Sequence, residues 1–183
     1  MSAKKEDGER FDRPRRSKDI KMKNPDDYEN MAKQLFLDGY NCSQSVVATF
    51  CDEMKMDRKQ AIKMASSFGG GMGRMREVCG CVSGMFMVLG FLYGYDDPKV
   101  YECKKELYER VQRLAKKFSD DNGSIICREL LGLEGKDTNP IPSIRTEEYY
   151  KKRPCPKLAG YASKILAEYI IKNPPKERDS QER

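Results

Sequence analysis

The sequence predicts a single-domain, all-α bundle of about six or seven helices with a buried central helix. Apolar residues recur at helical spacing through most of the body, 24–172. No stretch of useful length alternates apolar and polar residues as a β-strand does. Residues 77–93 are almost all apolar or small, which is typical of a helix surrounded by others. At 183 residues the chain is long enough to bury a core without disulfide bonds.

The first half of the body contains three predicted helices, each marked by its end signals. The first helix has Asp26 or Asp27 as its cap and Gly39 as its stop. Asn41 caps the second helix, and the third lies between Asp57 and the glycine run 69–73. The second helix is expected to continue through Cys51.

The second half begins with the central helix, 77–93. Its 17 residues barely reach the length of a membrane span and include three glycines, so a buried core helix is favoured over a span. The remaining predicted elements are a long amphipathic helix from Pro98 to about Asp120, a short turn at 128–131 between the irregular segments 121–127 and 132–145, and helices at 147–152 and 156–172.

The two ends of the chain, 1–23 and 173–183, are predicted to be disordered charged tails. Residues 1–23 hold nine Lys or Arg and five Asp or Glu, and the prolines at 174 and 175 stop the preceding helix. The tails carry most of the net charge of +6, so the body is close to neutral. A neutral body lacks the basic surface by which most proteins bind nucleic acid, and no such partner is expected.

The chain contains seven cysteines and no histidine. Without imidazole, metal binding or covalent chemistry must depend on thiolates, carboxylates or tyrosines. The cysteine count is odd, and no apolar secretory signal opens the sequence, so a cytoplasmic location with reduced or metal-bound thiols is predicted.

Helix geometry separates some cysteines from others. Cys42 and Cys51 are nine positions apart and would point to opposite sides of one helix, so they cannot both serve one site. Cys79 and Cys81 diverge by roughly 200° in a helix. One of these two is therefore expected to be a packing residue, unless the helix begins after Cys79.

The other cysteines differ in their surroundings. Cys103 lies among charged residues of the long helix and is interpreted as incidental. Cys127 and Cys155 lie beside irregular chain, and Pro154 and Pro156 flank Cys155. No pair has C-x-x-C spacing, so the residues alone leave two alternatives equally open: a thiolate site assembled from distant positions, and buried structural cysteines.

Four separated motifs, in order, resemble the C_GCAxxG_C_C family of bacterial proteins described as redox-active. The resemblance covers most of the body and closes with an Arg-Pro-Cys-Pro segment. The matching segments are 39–46, 68–73, 79–84, 123–132 and 153–156.

The resemblance implies a redox protein that binds an iron–sulfur cluster, either 2Fe–2S or 4Fe–4S, through four dispersed cysteines. Those four fall on Cys42, Cys79, Cys127 and Cys155. Cys81 replaces the alanine of the motif read as C-G-A-x-x-G. Either Cys79 or Cys81 could therefore be the ligand, and Cys79 is favoured. No C-x-x-C-H segment and no histidine are present to hold haem.

Three further residues are predicted to lie at the cofactor. Gly80 and Gly84 form a smooth strip that either a cluster or a neighbouring helix could approach. The glycine run 69–73 lacks a P-loop signature and is interpreted as a tight turn, after which Arg74 could offset a cluster's negative charge.

The function predicted is electron transfer with a redox partner protein, and whether the chain is a component of an oxidoreductase enzyme or forms a homodimer stays open. The alternatives are thiol–disulfide chemistry by a pair such as Cys42 and Cys79, a structural zinc site with four cysteines, and a helical module without a cofactor.

Overall fold

The structure, a computed structural model, describes residues 22–135 and 139–175. It confirms the all-α prediction for these ranges, in which six helices have eight residues or more. The helices are α1 (Pro25–Leu37), α2 (Cys42–Thr49), α3 (Cys51–Met54), α4 (Arg58–Ala65), α5 (Gly80–Tyr93), α6 (Tyr101–Asn122), α7 (Cys127–Leu130), α8 (Glu147–Lys152) and α9 (Cys155–Lys172), with a 3-10 turn over Ser66–Phe68. The predicted tails lie mostly outside the described residues.

The central helix of the bundle is α5, as predicted. It contacts α2, α3, α6 and α9, and most of its side chains are buried, although Phe91 near its C-terminal end is 39% exposed. The first and last helices, α1 and α9, pack along each other. Because α2 also contacts α1, α5 and α9, these helices share one core.

The strip formed by Gly80 and Gly84 is where α5 meets α2. A Cβ atom on Gly84 would lie 2.9 Å from the carbonyl oxygen of Ser43 and 3.1 Å from the Cβ of Val46. Only a residue without a side chain therefore allows this close approach. The structure thus shows that the strip packs two helices together. Its contact with a cofactor stays a prediction.

Two predicted ends in the first half of the body are wrong by a few residues. Asn24 caps α1 in place of Asp26 or Asp27, because Pro25 occupies the first helical position and the Asn24 side chain accepts from the Asp26 amide. The second helix does not continue through Cys51: it breaks at Phe50, whose φ of −109° and ψ of 16° are not helical.

Two predicted starts in the second half also move. The central helix starts at Gly80 instead of residue 77, because the preceding residues pair with another segment, as described below. The long helix starts at Tyr101, three residues after Pro98. Among the described residues, no helix combines the length and the apolar character that crossing a membrane requires.

Candidate functional site

Four cysteines occupy the same place on four different helices. Cys42, Cys127 and Cys155 are the first residues of α2, α7 and α9, and Cys79 is the N-cap of α5. All four are between 4% and 8% exposed. Since a helix N-terminus favours negative charge, the ends of the long helices α5 and α9 are suited to thiolates.

The position of Cys42 follows from the cap of α2. The Asn41 side chain accepts from the Gln44 amide at 3.0 Å, and the Gln44 side chain accepts from the Asn41 amide at 3.1 Å. This reciprocal capping box fixes the first turn of the helix. The Asn41 amide group also donates to the Ser66 carbonyl at 2.9 Å, which ties the turn to the chain after α4.

A short backbone pairing brings Cys79 and Cys127 together. The Cys79 amide donates to the Ile125 carbonyl at 2.8 Å, and the Cys127 amide donates to the Glu77 carbonyl at 2.6 Å. Val78 and the residue before Cys127 form an antiparallel bridge between these bonds. Because this pairing keeps Cys79 outside the helix, the roughly 200° separation expected between the Cys79 and Cys81 side chains does not apply.

The glycine run packs against Cys127. Residues 70–74 all have positive φ, between 60° and 73°, and two of them, Met72 and Arg74, are not glycine. Left-handed non-glycine residues cost about 1–2 kcal/mol each and cluster at functional sites. A Cβ atom on Gly71 would lie 2.5 Å from the Cβ of Cys127, so the bare backbone forms a cradle for that side chain.

The thiols of these elements contact one another. Cys42 hydrogen-bonds with the side chains of both Cys155 and Cys81, and Cys81 also hydrogen-bonds with Cys79. Cys127 lies within electrostatic range of Cys42 and Cys79. The five residues Cys42, Cys79, Cys81, Cys127 and Cys155 are called the thiol group below. Cys51, whose thiol contacts the Val47 carbonyl, and Cys103 on α6 do not belong to it.

The contacts within the thiol group lower the pKa of one member and raise the pKa values of others. Hydrogen bonds from Cys155 and Cys81 hold the pKa of Cys42 well below its usual range. The same bonds to Cys42 raise the pKa values of Cys155 and Cys81. Burial raises the pKa of Cys127 to about 11, against the opposing influence of the Arg76 guanidinium. Negative charge is therefore favoured on Cys42 over Cys81, Cys127 and Cys155.

A cavity of about 320 Å³ opens onto the thiol group. Cys42, Cys127 and Cys155 line it, whereas Cys79 and Cys81 do not reach its surface. Four arginines also line it: Arg74, Arg76, Arg145 and Arg153. No Asp or Glu is among the cavity's lining residues in the described part of the chain. The thiols thus face a strongly cationic space.

Within residues 22–135 and 139–175, no three Cys, Asp or Glu side chains are arranged as they stand to hold one metal ion.

A family model matches the part of the chain that contains the thiol group. The model of a family described as "Putative redox-active protein (C_GCAxxG_C_C)" matches residues 40–169, which is more than half of the chain. The chain belongs to this family. The C_GCAxxG_C_C match begins just before Cys42 and ends in α9, beyond Cys155, so it includes the whole thiol group. No curated protein and no solved structure matches the chain.

The structure brings together the four cysteines that the C_GCAxxG_C_C resemblance marks, and adds Cys81 to them. The exception allowed for Cys79 and Cys81 applies, because the helix begins after Cys79 and the side chains of both residues contact each other within the group. Arg74 lines the cavity and donates to the Ile141 carbonyl.

Sequence reasoning missed Arg145 and Arg153. Arg145 ends the irregular segment 132–145, and Arg153 lies between α8 and α9. The one available signal is the arginine of the Arg-Pro-Cys-Pro segment.

Proposed function

We propose that this redox-active chain is an electron-transfer protein that holds an iron–sulfur cluster through Cys42, Cys79, Cys127 and Cys155. The observation that carries the proposal is the convergence of these four buried side chains, from four separate helices, beside one cationic cavity. A redox partner protein would then deliver or accept the electron.

The residues present fit such a group in their chemistry. Thiolates are the usual ligands of iron–sulfur clusters, and a chain without histidine can supply four of them. The cradle at Gly71 brings backbone, with its amide donors, up to Cys127. When bound, a cluster stores and releases one electron at a potential that the protein sets.

The chain's own residues would adjust that potential. Arg76 hydrogen-bonds with the Cys127 side chain and is itself only 5% exposed. A buried positive charge at a ligand stabilises the more negative, reduced state and so raises the reduction potential. Cys81, in contact with both Cys42 and Cys79, is either the reserve ligand for Cys79 or an outer thiol that donates to the ligands.

The proposal predicts that protein purified anaerobically from iron-replete cells is brown. Iron and acid-labile sulfide should be present in comparable amounts, and dithionite should bleach the visible absorption because the cluster accepts an electron. Elemental analysis of the same sample distinguishes iron from zinc. Colourless protein with neither metal, or with zinc alone, would contradict the proposal.

One observation favours a second candidate, thiol–disulfide exchange by Cys42 and Cys155. The Cys42 side chain contacts that of Cys155, and its low pKa makes it the better nucleophile of the two. The Cys42 thiolate would attack a disulfide substrate and release one thiol. Cys155 would then displace the second thiol and leave a Cys42–Cys155 disulfide. Iron-free protein that forms this disulfide reversibly, as shown by mass spectrometry, would favour this candidate over the first.

A further inference from the structure

Two of the cavity's arginines are held in place on one side of it. Arg145 donates to the Phe36 carbonyl at 2.8 Å and to the Tyr40 carbonyl at 2.9 Å, and its guanidinium lies 4.6 Å from the centroid of the Phe36 ring. Arg145 and Arg153 both lie near the Tyr149 ring, at 5.9 Å and 5.3 Å from its centroid. The charges are therefore positioned by carbonyls and aromatic rings.

Neither Arg145 nor Arg153 forms an ion pair with a described residue. A guanidinium has five N–H donors, and Arg145 uses two of them on the carbonyls named above. The remaining donors are available to a ligand. No carboxylate is among the described residues that line the cavity, so Arg145 and Arg153 meet no negative side chain there.

The cavity lining also contains apolar groups. Leu131, Tyr149 and two prolines contribute them. A ligand pocket of this size with apolar walls and a few fixed polar groups is typical of a site for a small molecule. The combination of apolar walls and guanidinium groups suits a molecule with an apolar body and one anionic head.

We propose that the cavity binds a small organic anion, with an oxyanion head on Arg145 and Arg153 and an apolar body against Leu131 and Tyr149. The shared chemistry is that of a carboxylate, sulfonate or phosphate on an apolar or aromatic body. Such a molecule would lie next to the thiol group, where the redox-active residues reach the cavity. The inference goes beyond the proposed cluster and does not depend on it.

The test is isothermal titration of the full chain with naphthalenesulfonate and with the neutral naphthalenesulfonamide, which has the same apolar body. The sulfonate should bind about tenfold more tightly than the sulfonamide, because it alone makes charge-assisted hydrogen bonds. R145Q and R153Q should each weaken sulfonate binding about tenfold and leave sulfonamide binding unchanged. The matched control is R113Q, on the exposed side of α6, which should alter neither.

Three results would overturn the inference. These are equal affinity for the two probes, no binding of either probe, and R153Q behaving as R113Q does. R153Q keeps the test decisive if R145Q, which also loses contacts to the end of α1, fails to fold. Because the titration can be performed with or without bound iron, a failed iron analysis would leave its result unaffected.

Discussion

Replacing Cys42 with Ser is expected to abolish the redox centre and leave the fold intact. Cys42 contacts Cys155 and Cys81, and hydrogen bonds with them lower its pKa. Serine has nearly the same size, but its hydroxyl does not ionise near neutral pH and is a poor ligand for iron. Iron affinity should fall at least about 100-fold, since even outer-shell substitutions cost 10- to 100-fold.

The matched control for this variant is Cys51→Ser. Cys51 is 6% exposed, close to the 8% of Cys42, and also begins a helix, but its thiol contacts the Val47 carbonyl instead of other cysteines. It should keep its iron, sulfide and visible spectrum. Iron analysis and far-ultraviolet circular dichroism of both variants check the expectation. A C42S protein with the wild-type spectrum would remove Cys42 from the site.

Gly71→Ala should be among the most destabilising single substitutions in the chain. The new Cβ would lie 2.5 Å from the Cβ of Cys127 and 3.0 Å from the Glu77 nitrogen, at a backbone φ of +73°. Left-handed strain and overpacking together should cost about 2–5 kcal/mol of the free energy of unfolding. The displaced Cys127 should also lower the iron content.

Gly132→Ala separates the two causes. Gly132 has a similar φ of +61°, but nothing lies within 4 Å of an added Cβ. It should therefore cost only the strain of the left-handed backbone, about 1–2 kcal/mol, and leave iron binding unchanged. Denaturant unfolding of both variants measures the difference. Equal losses of stability would mean that the glycine run does not pack against Cys127 as described.

The helices could be predicted from local sequence because their signals are local. Asn41 with Gln44 specifies the cap of α2, and the apolar run at 77–93 specifies a buried helix whatever surrounds it. The start of α5 could not be predicted in this way. The start depends on the backbone hydrogen bond between Cys79 and Ile125, which are far apart in sequence. Local sequence patterns do not predict such long-range bonds.

The same limit applies to the candidate site. The family resemblance marks four of its cysteines, whereas Cys81 is predicted only as a substitute for Cys79, because helical spacing would separate the two side chains and that spacing does not hold at Cys79. The net charge does not predict the cluster of arginines. The body is nearly neutral overall, yet the described residues that line the cavity include four arginines and no Asp or Glu. Where charges gather is decided by tertiary packing, which composition does not record.

The central claim is that distant cysteines form one group of thiols, and crosslinking of the reduced, metal-free protein tests it most directly. Phenylarsine oxide bridges two thiols that lie within a few ångströms of each other, and peptide mapping then identifies the pair. We expect an arsenic bridge from Cys42 to Cys155, the two contacting thiols that line the cavity, with Cys51 and Cys103 unmodified. Bridges that involve Cys51 or Cys103, or no bridge within the thiol group, would contradict the account.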